Sequence, residues 1–157
     1  GGADAVEIEG GAELAPTVRA LTKAGIAVIA HVGLTKILSA RTGSYRSQGQ
    51  DAQSAIAIMH DALALSEAGA FALVLECIPD RIAAAITELV PVPTIGIGAG
   101  PHCDGQVLVM HDMLGMGKYT KFSKVYFDVG AAMKTAFEAY VSEVKSGAFP
   151  TADHSFE

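Results

Sequence analysis

Short runs that are apolar almost throughout constrain this chain most: Ala5 to Ile8, Ile26 to Ala30, Phe71 to Leu75, Pro93 to Ile97 and Val107 to Met110. A strand with one wet face alternates apolar and polar residues, whereas a strand covered on both faces does not. The runs therefore predict strands of a parallel sheet buried on both sides. Helical patterns separate them. Glu13 to Ala24 stops at Gly25, the usual place of a helix C-cap, and Ala52 to Ala68 stops at Gly69 behind a plausible N-cap at Asp51. The second of these carries Ala55, Ile56, Met59, Ala62 and Leu63 as its expected inner face. Pro79 to Leu89 opens on Pro79 or Asp80, and Val129 to Lys145 sets Met133, Phe137, Tyr140, Val141 and Val144 along one face.

Strand and helix alternating at this spacing give βαβ units, so the fold class is α/β. A closed barrel and an open doubly wound sheet both fit that pattern. A closed (β/α)8 barrel needs at least about 200 residues, and this chain has 157. It is therefore an open sheet or most of a barrel without its first strands. No linker divides it. The expected organisation is residues 1–157 as a single domain, with 146–157 as a C-terminal surface arm.

Composition narrows the function classes. Half the residues are hydrophobic and 18% are charged, which excludes a disordered chain. The formal net charge is -6 with no cluster of Lys or Arg, so neither nucleic acid nor a membrane is an expected partner. No apolar run approaches the roughly 18 residues of a membrane helix, and the opening Gly1-Gly2-Ala3-Asp4 does not read as a signal peptide. Cys77 and Cys103 are too few for a disulfide framework, which suits a cytoplasmic protein, or one of an organelle matrix such as the mitochondrion.

In parallel α/β folds the active site lies beyond the C-terminal strand ends. Those ends carry, in order, Glu9, His31, Glu76, the stretch from Gly96 to Gly100, and His111-Asp112. Glu9, followed by Gly10 and Gly11, is either a carboxylate aimed at a metal or a cap on the next helix. Glu76 follows Leu73-Val74-Leu75 and precedes Cys77-Ile78-Pro79. A carboxylate in such apolar company is desolvated, as a general base often is, or else it pairs with a neighbouring Lys or Arg. His31 could donate to a substrate oxygen or be a satisfied core histidine. Gly96, Gly98 and Gly100 are a poor match to a dinucleotide fingerprint, because Pro101 stands where its third Gly belongs. They are expected to permit close packing or substrate approach at a strand end, with phosphate binding as the weaker alternative. The pair His111-Asp112, as neighbours on a strand, is expected to be structural. The irregular stretch Val32 to Gln50, with Gly33, Gly43, Ser44, Tyr45, Gln48 and Gly49, has the composition of a lid.

Taken together, these motifs resemble the ketopantoate hydroxymethyltransferase family. The matching stretches are Gly2 to Val6, Ile8-Glu9-Gly10-Gly11, His31 to Thr35, Tyr45-Arg46 with Gln48-Gly49, Leu73 to Pro79, Pro93 to Gly100, Asp104 to Asp112, Phe149-Pro150 and His154 to Phe156. The resemblance implies a (β/α)8 TIM barrel of the phosphoenolpyruvate/pyruvate type, of which this chain holds about the last five strands. It implies transfer of a hydroxymethyl group from 5,10-methylenetetrahydrofolate to 3-methyl-2-oxobutanoate, giving 2-dehydropantoate for pantothenate. Mg²⁺ would hold the keto acid and favour its enolate. On the same ground Glu76 is the proton acceptor, Glu9 belongs to the metal site, and His31 lines the substrate pocket. The partners implied are the keto acid and the folate, in a homo-oligomer.

The chain departs from the family pattern at several positions. Glu7 occupies the substrate-binding position where the family carries Lys, and a carboxylate there inverts the local field. At about 4 Å and an effective dielectric near 20, each unit charge is worth on the order of 4 kcal/mol. Lys36, Ser44 and Gln50 stand where Pro, Gly and Arg are usual. The strands that carry the family's direct Asp ligands and a substrate-contacting Ser have no counterpart here, so the chain alone is expected to lack a complete metal site. Two alternatives are a non-catalytic scaffold derived from the same barrel and another metal-dependent enol-forming lyase.

Overall fold

The computed structural model describes residues 1–36, 39, 40, 43, 46–117 and 120–156. Ser44 and Tyr45 of the expected lid lie outside them. The chain forms two compact units, Gly1–Val107 and Leu108–Glu157.

The first unit is a parallel sheet in the order of the chain. Its strands are β1 (Ala5–Glu9), β2 (Ala27–Gly33), β3 (Ala72–Glu76), β4 (Thr94–Ile97) and β5 (Gly105–Gln106), with β1 and β5 outermost. Helices α1 (Ala15–Lys23), α2 (Ala52–Glu67) and α3 (Asp80–Leu89) supply the crossovers, and a 3-10 turn at Ala12–Leu14 precedes α1. This is the α/β alternation that the apolar runs predict. Among the described residues it is a five-stranded sheet.

Local chemistry explains the boundaries. Asp51 caps α2 by accepting from Ser54 N at 2.9 Å, and the Ser54 hydroxyl reaches back to the Asp51 backbone. Pro79 is the N-cap of α3, and Pro16 lies in the first turn of α1. The inner face of α2 differs from the expected one. Ala55, Ile58, Ala62, Leu65 and Ser66 are buried, while Ile56 is 67% exposed. A spacing of three and four residues holds that face together, and Ile56 falls outside it.

The core lies on one side of the sheet. Val28, Ala30, Val32, Leu73 and Leu75 pack with Val18 of α1, Ile58, Ala62 and Leu65 of α2, and Ala83 and Ile86 of α3. The fifth strand corrects the sequence reading. The apolar run Val107 to Met110 is not a strand; β5 is the preceding Gly105–Gln106, registered on Ile95 and Gly96. Val107 and Val109 are both exposed, and Met110 begins a helix, α4 (Met110–Met113). Pairing with β4 outweighs the strand propensity of the valines.

The second unit is built around α5 (Val129–Ser146). Asp128 caps it by accepting from Ala131 N at 2.8 Å, and Gly147 ends it in the left-handed conformation. The expected apolar stripe forms, but Met133, Phe137, Tyr140, Val141 and Val144 are all exposed. An open groove of about 840 Å³ runs along it, lined by Met116, Met133, Phe137 and Val141 among others. The segment after α5 folds back upon it: the Phe149 ring meets Tyr140 edge-on at 5.8 Å and His154 at 4.9 Å. Among the described residues, no helix is long and apolar enough to cross a membrane.

Candidate active site

The face of the sheet turned away from the helices carries the polar groups. Side chains alternate along a strand, so Glu7 and Glu9 share one face of β1 while Val6 and Ile8 pack toward the helical side. The register aligns Glu9 with His31 and Gly33 with Glu76. The fold thus brings Glu7, Glu9, His31 and Glu76 to one end of one face.

His31 is the centre of this group, with a side chain only 7% exposed. Its Nδ1 makes a 3.0 Å hydrogen bond with Glu7 Oε1. Its Nε2 lies 3.1 Å from Glu76 Oε2. That oxygen sits off the line of the ring N–H, so this second contact is close without being an aligned hydrogen bond. Burial, the largest single influence on the ring, opposes its charged form. The contact with Glu76, then the bond to Glu7 and the charge of Glu9, together outweigh it and raise the pKa above 6.5. An imidazolium has a donor at each nitrogen, and here each nitrogen faces a carboxylate. Among the described residues, no Lys or Arg lies within ion-pair reach of Glu7, Glu9 or Glu76. Among the described residues the partner of Glu76 is therefore an imidazole rather than the Lys or Arg considered from the sequence.

The backbone around Glu76 is tightly specified. Cys77 adopts φ 51, a left-handed conformation that costs a residue with a Cβ roughly 1–2 kcal/mol. It is held there by Cys77 N donating to Ile97 O at 2.9 Å and by Gln48 N donating to Cys77 O at 2.7 Å. Gly33, at φ 96, lets β2 approach so closely that a Cβ would strike the Glu76 carbonyl and Ile78. Leu34 N donates to that same carbonyl at 2.9 Å. The Cys77 thiol is held in its protonated form at neutral pH: burial first, and the Glu76 charge second, push its pKa up to about 11. Both cysteines are free.

Glu9 does not cap the helix that follows it. Its Oε2 accepts from Lys36 N at 2.7 Å, beyond the end of β2. The turn after Glu9 is instead satisfied by Glu13, which accepts from Gly11 N at 2.9 Å, and by Asp61 of α2, which accepts from Ala12 N at 2.9 Å. The backbone donors that could cradle an anion at this turn are thus taken by the chain's own carboxylates. Nothing in the sequence flags Asp61, since its partner is 49 residues away.

The glycine stretch serves close packing. A Cβ on Gly96 would come within 2.9 Å of Cys103 Sγ, and one on Gly100 would collide with Asp80. No helix follows it directly; the chain goes on to β5. His111 and Asp112 are not at a strand end. They lie in α4, in the second unit, so the sequence reading of that pair is corrected.

The comparisons with known proteins agree with one another. The family model described as ketopantoate hydroxymethyltransferase matches residues 1–152. The protein named 3-methyl-2-oxobutanoate hydroxymethyltransferase from Trichlorobacter lovleyi is 56% identical over 158 residues, covering 99% of this chain and 59% of its own length. Proteins of the same name from Geobacter sulfurreducens and Moorella thermoacetica are 53% and 52% identical, and each is again covered over 59% of its length. The chain therefore spans about three fifths of these curated relatives.

Proposed function

Because the chain belongs to the ketopantoate hydroxymethyltransferase family, we propose that it carries the proton-abstracting half of a hydroxymethyl transfer onto 3-methyl-2-oxobutanoate. In this reading Glu76 takes the proton from the carbon next to the ketone. The resulting enolate carbon bonds to the methylene carbon of 5,10-methylenetetrahydrofolate, both C–N bonds to that carbon break as water supplies the hydroxyl, the protons from substrate and water pass to the folate nitrogens, and tetrahydrofolate leaves with 2-dehydropantoate. One observation carries the reading. The Glu76 carboxylate, 20% exposed at the end of a buried apolar strand, faces the His31 imidazole and no Lys or Arg among the described residues. A carboxylate held by a titratable ring rather than locked to a permanent cation is free to exchange a proton. In the same reading His31, in contact with Glu76, lines the substrate site.

The family resemblance implies Mg²⁺, and the described residues do not make a site for it. No three His, Cys, Asp or Glu groups among them converge on a point. Glu9 holds the Lys36 N–H with one oxygen, and an ordinary Mg²⁺ site takes several ligands in near-octahedral array. Such a site would need ligands from outside these residues, and no step here depends on it.

The test is 2-dehydropantoate formation by a full-length protein that contains this chain, with and without Glu76→Gln. Loss of turnover by roughly 10²–10⁴-fold is expected. A Glu76→Gln protein that keeps the full rate would remove Glu76 from the role.

A further inference from the structure

We infer that Glu7 is a positioning residue: its carboxylate holds His31 by Nδ1 and so keeps Nε2 turned toward Glu76. The inference deepens the reading above and rests on it for the role of Glu76, but its geometry stands on the sheet alone. Glu7 lies one alternation before Glu9 on β1, about 6–7 Å further from the strand end. From there its oxygen meets the inner edge of the His31 ring at 3.0 Å. Glu76, on the strand at the other side of β2, meets the opposite edge at 3.1 Å.

An imidazole has nitrogen at only two of its five ring positions, so its orientation about χ2 decides what each neighbour meets. In the observed orientation both nitrogens face carboxylates. Turning the ring over would put carbon where each nitrogen now stands and lose both contacts. The side chain is almost wholly buried, so water cannot replace them cheaply. The Glu76 contact is out of line and specifies the ring poorly, whereas the Glu7 bond satisfies the geometry of a hydrogen bond. Glu7 is therefore what selects the orientation. Its own side chain is half exposed, so removing it disturbs little packing. A cation at this position would face Nδ1 and repel the ring in its charged form. Glu7 thus answers to His31 and does not need to touch substrate.

The experiment is ring-nitrogen NMR of a full-length protein that contains this chain, labelled at histidine, for the parent, Glu7→Ala and Glu7→Gln. The parent should show a His31 Nδ1 proton that exchanges slowly with solvent. Glu7→Ala should abolish that protection while the backbone amide spectrum keeps its dispersion. Glu7→Gln retains an acceptor of the same reach but loses the charge, so it should restore the ring orientation with exchange faster by about fivefold. The inference is overturned if both variants leave Nδ1 exchange within about twofold of the parent. It is also overturned if Glu76→Gln, and not Glu7→Ala, releases the ring. Should Glu7→Ala fail to fold, the near-isosteric Glu7→Gln still decides. These signals are read without turnover, so a failure of the proposed reaction and a failure of this inference are distinguishable.

Discussion

The two ends of the sheet in the first unit handle polar groups in opposite ways. At the N-terminal end, Thr94 is fully buried and every polar neighbour is matched. Its hydroxyl lies 2.8 Å from the Thr87 hydroxyl, and Asp104 Oδ2 accepts from Thr94 N at 2.8 Å and from Thr94 Oγ1 at 3.1 Å. At the C-terminal end, Glu7, Glu9 and Glu76 gather around one imidazole, and one of its nitrogens lacks an aligned partner. A closed network rigidifies, whereas a network with surplus acceptors retains capacity to bind or to move a proton. The difference separates the end that holds the sheet from the end that can act.

The largest expected effect falls at the boundary between these tasks. Gly33→Ala should cost about 3 kcal/mol or more, because a Cβ collides with the Glu76 carbonyl at a positive φ. Urea unfolding measures it. A variant as stable as the parent would show that the C-terminal end is loosely built. Next, Thr94→Val should cost about 2 kcal/mol by removing the contact with the Thr87 hydroxyl and the two bonds of the Thr94 hydroxyl with Asp104. In a full-length protein it should leave turnover per folded molecule close to the parent's. If turnover falls as steeply as stability, the two ends are not separate.

The smallest effect is in the pH dependence. The His31 pKa is raised in the fold, so the ring binds its proton more tightly folded than unfolded. Its contribution to stability is then complete below 6.5, the ordinary value, and is lost as pH rises through the higher folded value. The urea midpoint should decline across that window, and Glu7→Gln should flatten the decline. A midpoint that climbs there instead would mean that burial wins over the carboxylates.

What the sequence revealed follows from the range of the forces involved. The first four strands were legible because burial on a sheet leaves an apolar run, and the helix ends because caps are local. The fifth strand was not, since Gly105 and Gln106 have little strand propensity and join β4 through its register alone. Glu76 and His31 were legible by position at strand ends. The bond between Glu7 and His31 was not, because it depends on how two neighbouring strands are aligned. Asp61 was invisible for the same reason, and Ile56 was misplaced because a helical face read by composition alone tolerates a slip of two residues.

The contact between Asp61 and the turn after Glu9 also bears on how this chain can change through descent. Any side chain on Gly11 would meet the Asp61 carboxylate at 2.7 Å. Alanine at Gly11 would push the Asp61 carboxylate aside and disturb its bond to Ala12 N, and shortening Asp61 first leaves Ala12 N without that acceptor. The two positions form an interlock in which the order of substitutions matters and each first step is disfavoured. Each single step at this turn disturbs the bond to Ala12 N, and the path of the chain just after Glu9 is tied to a residue on a different helix.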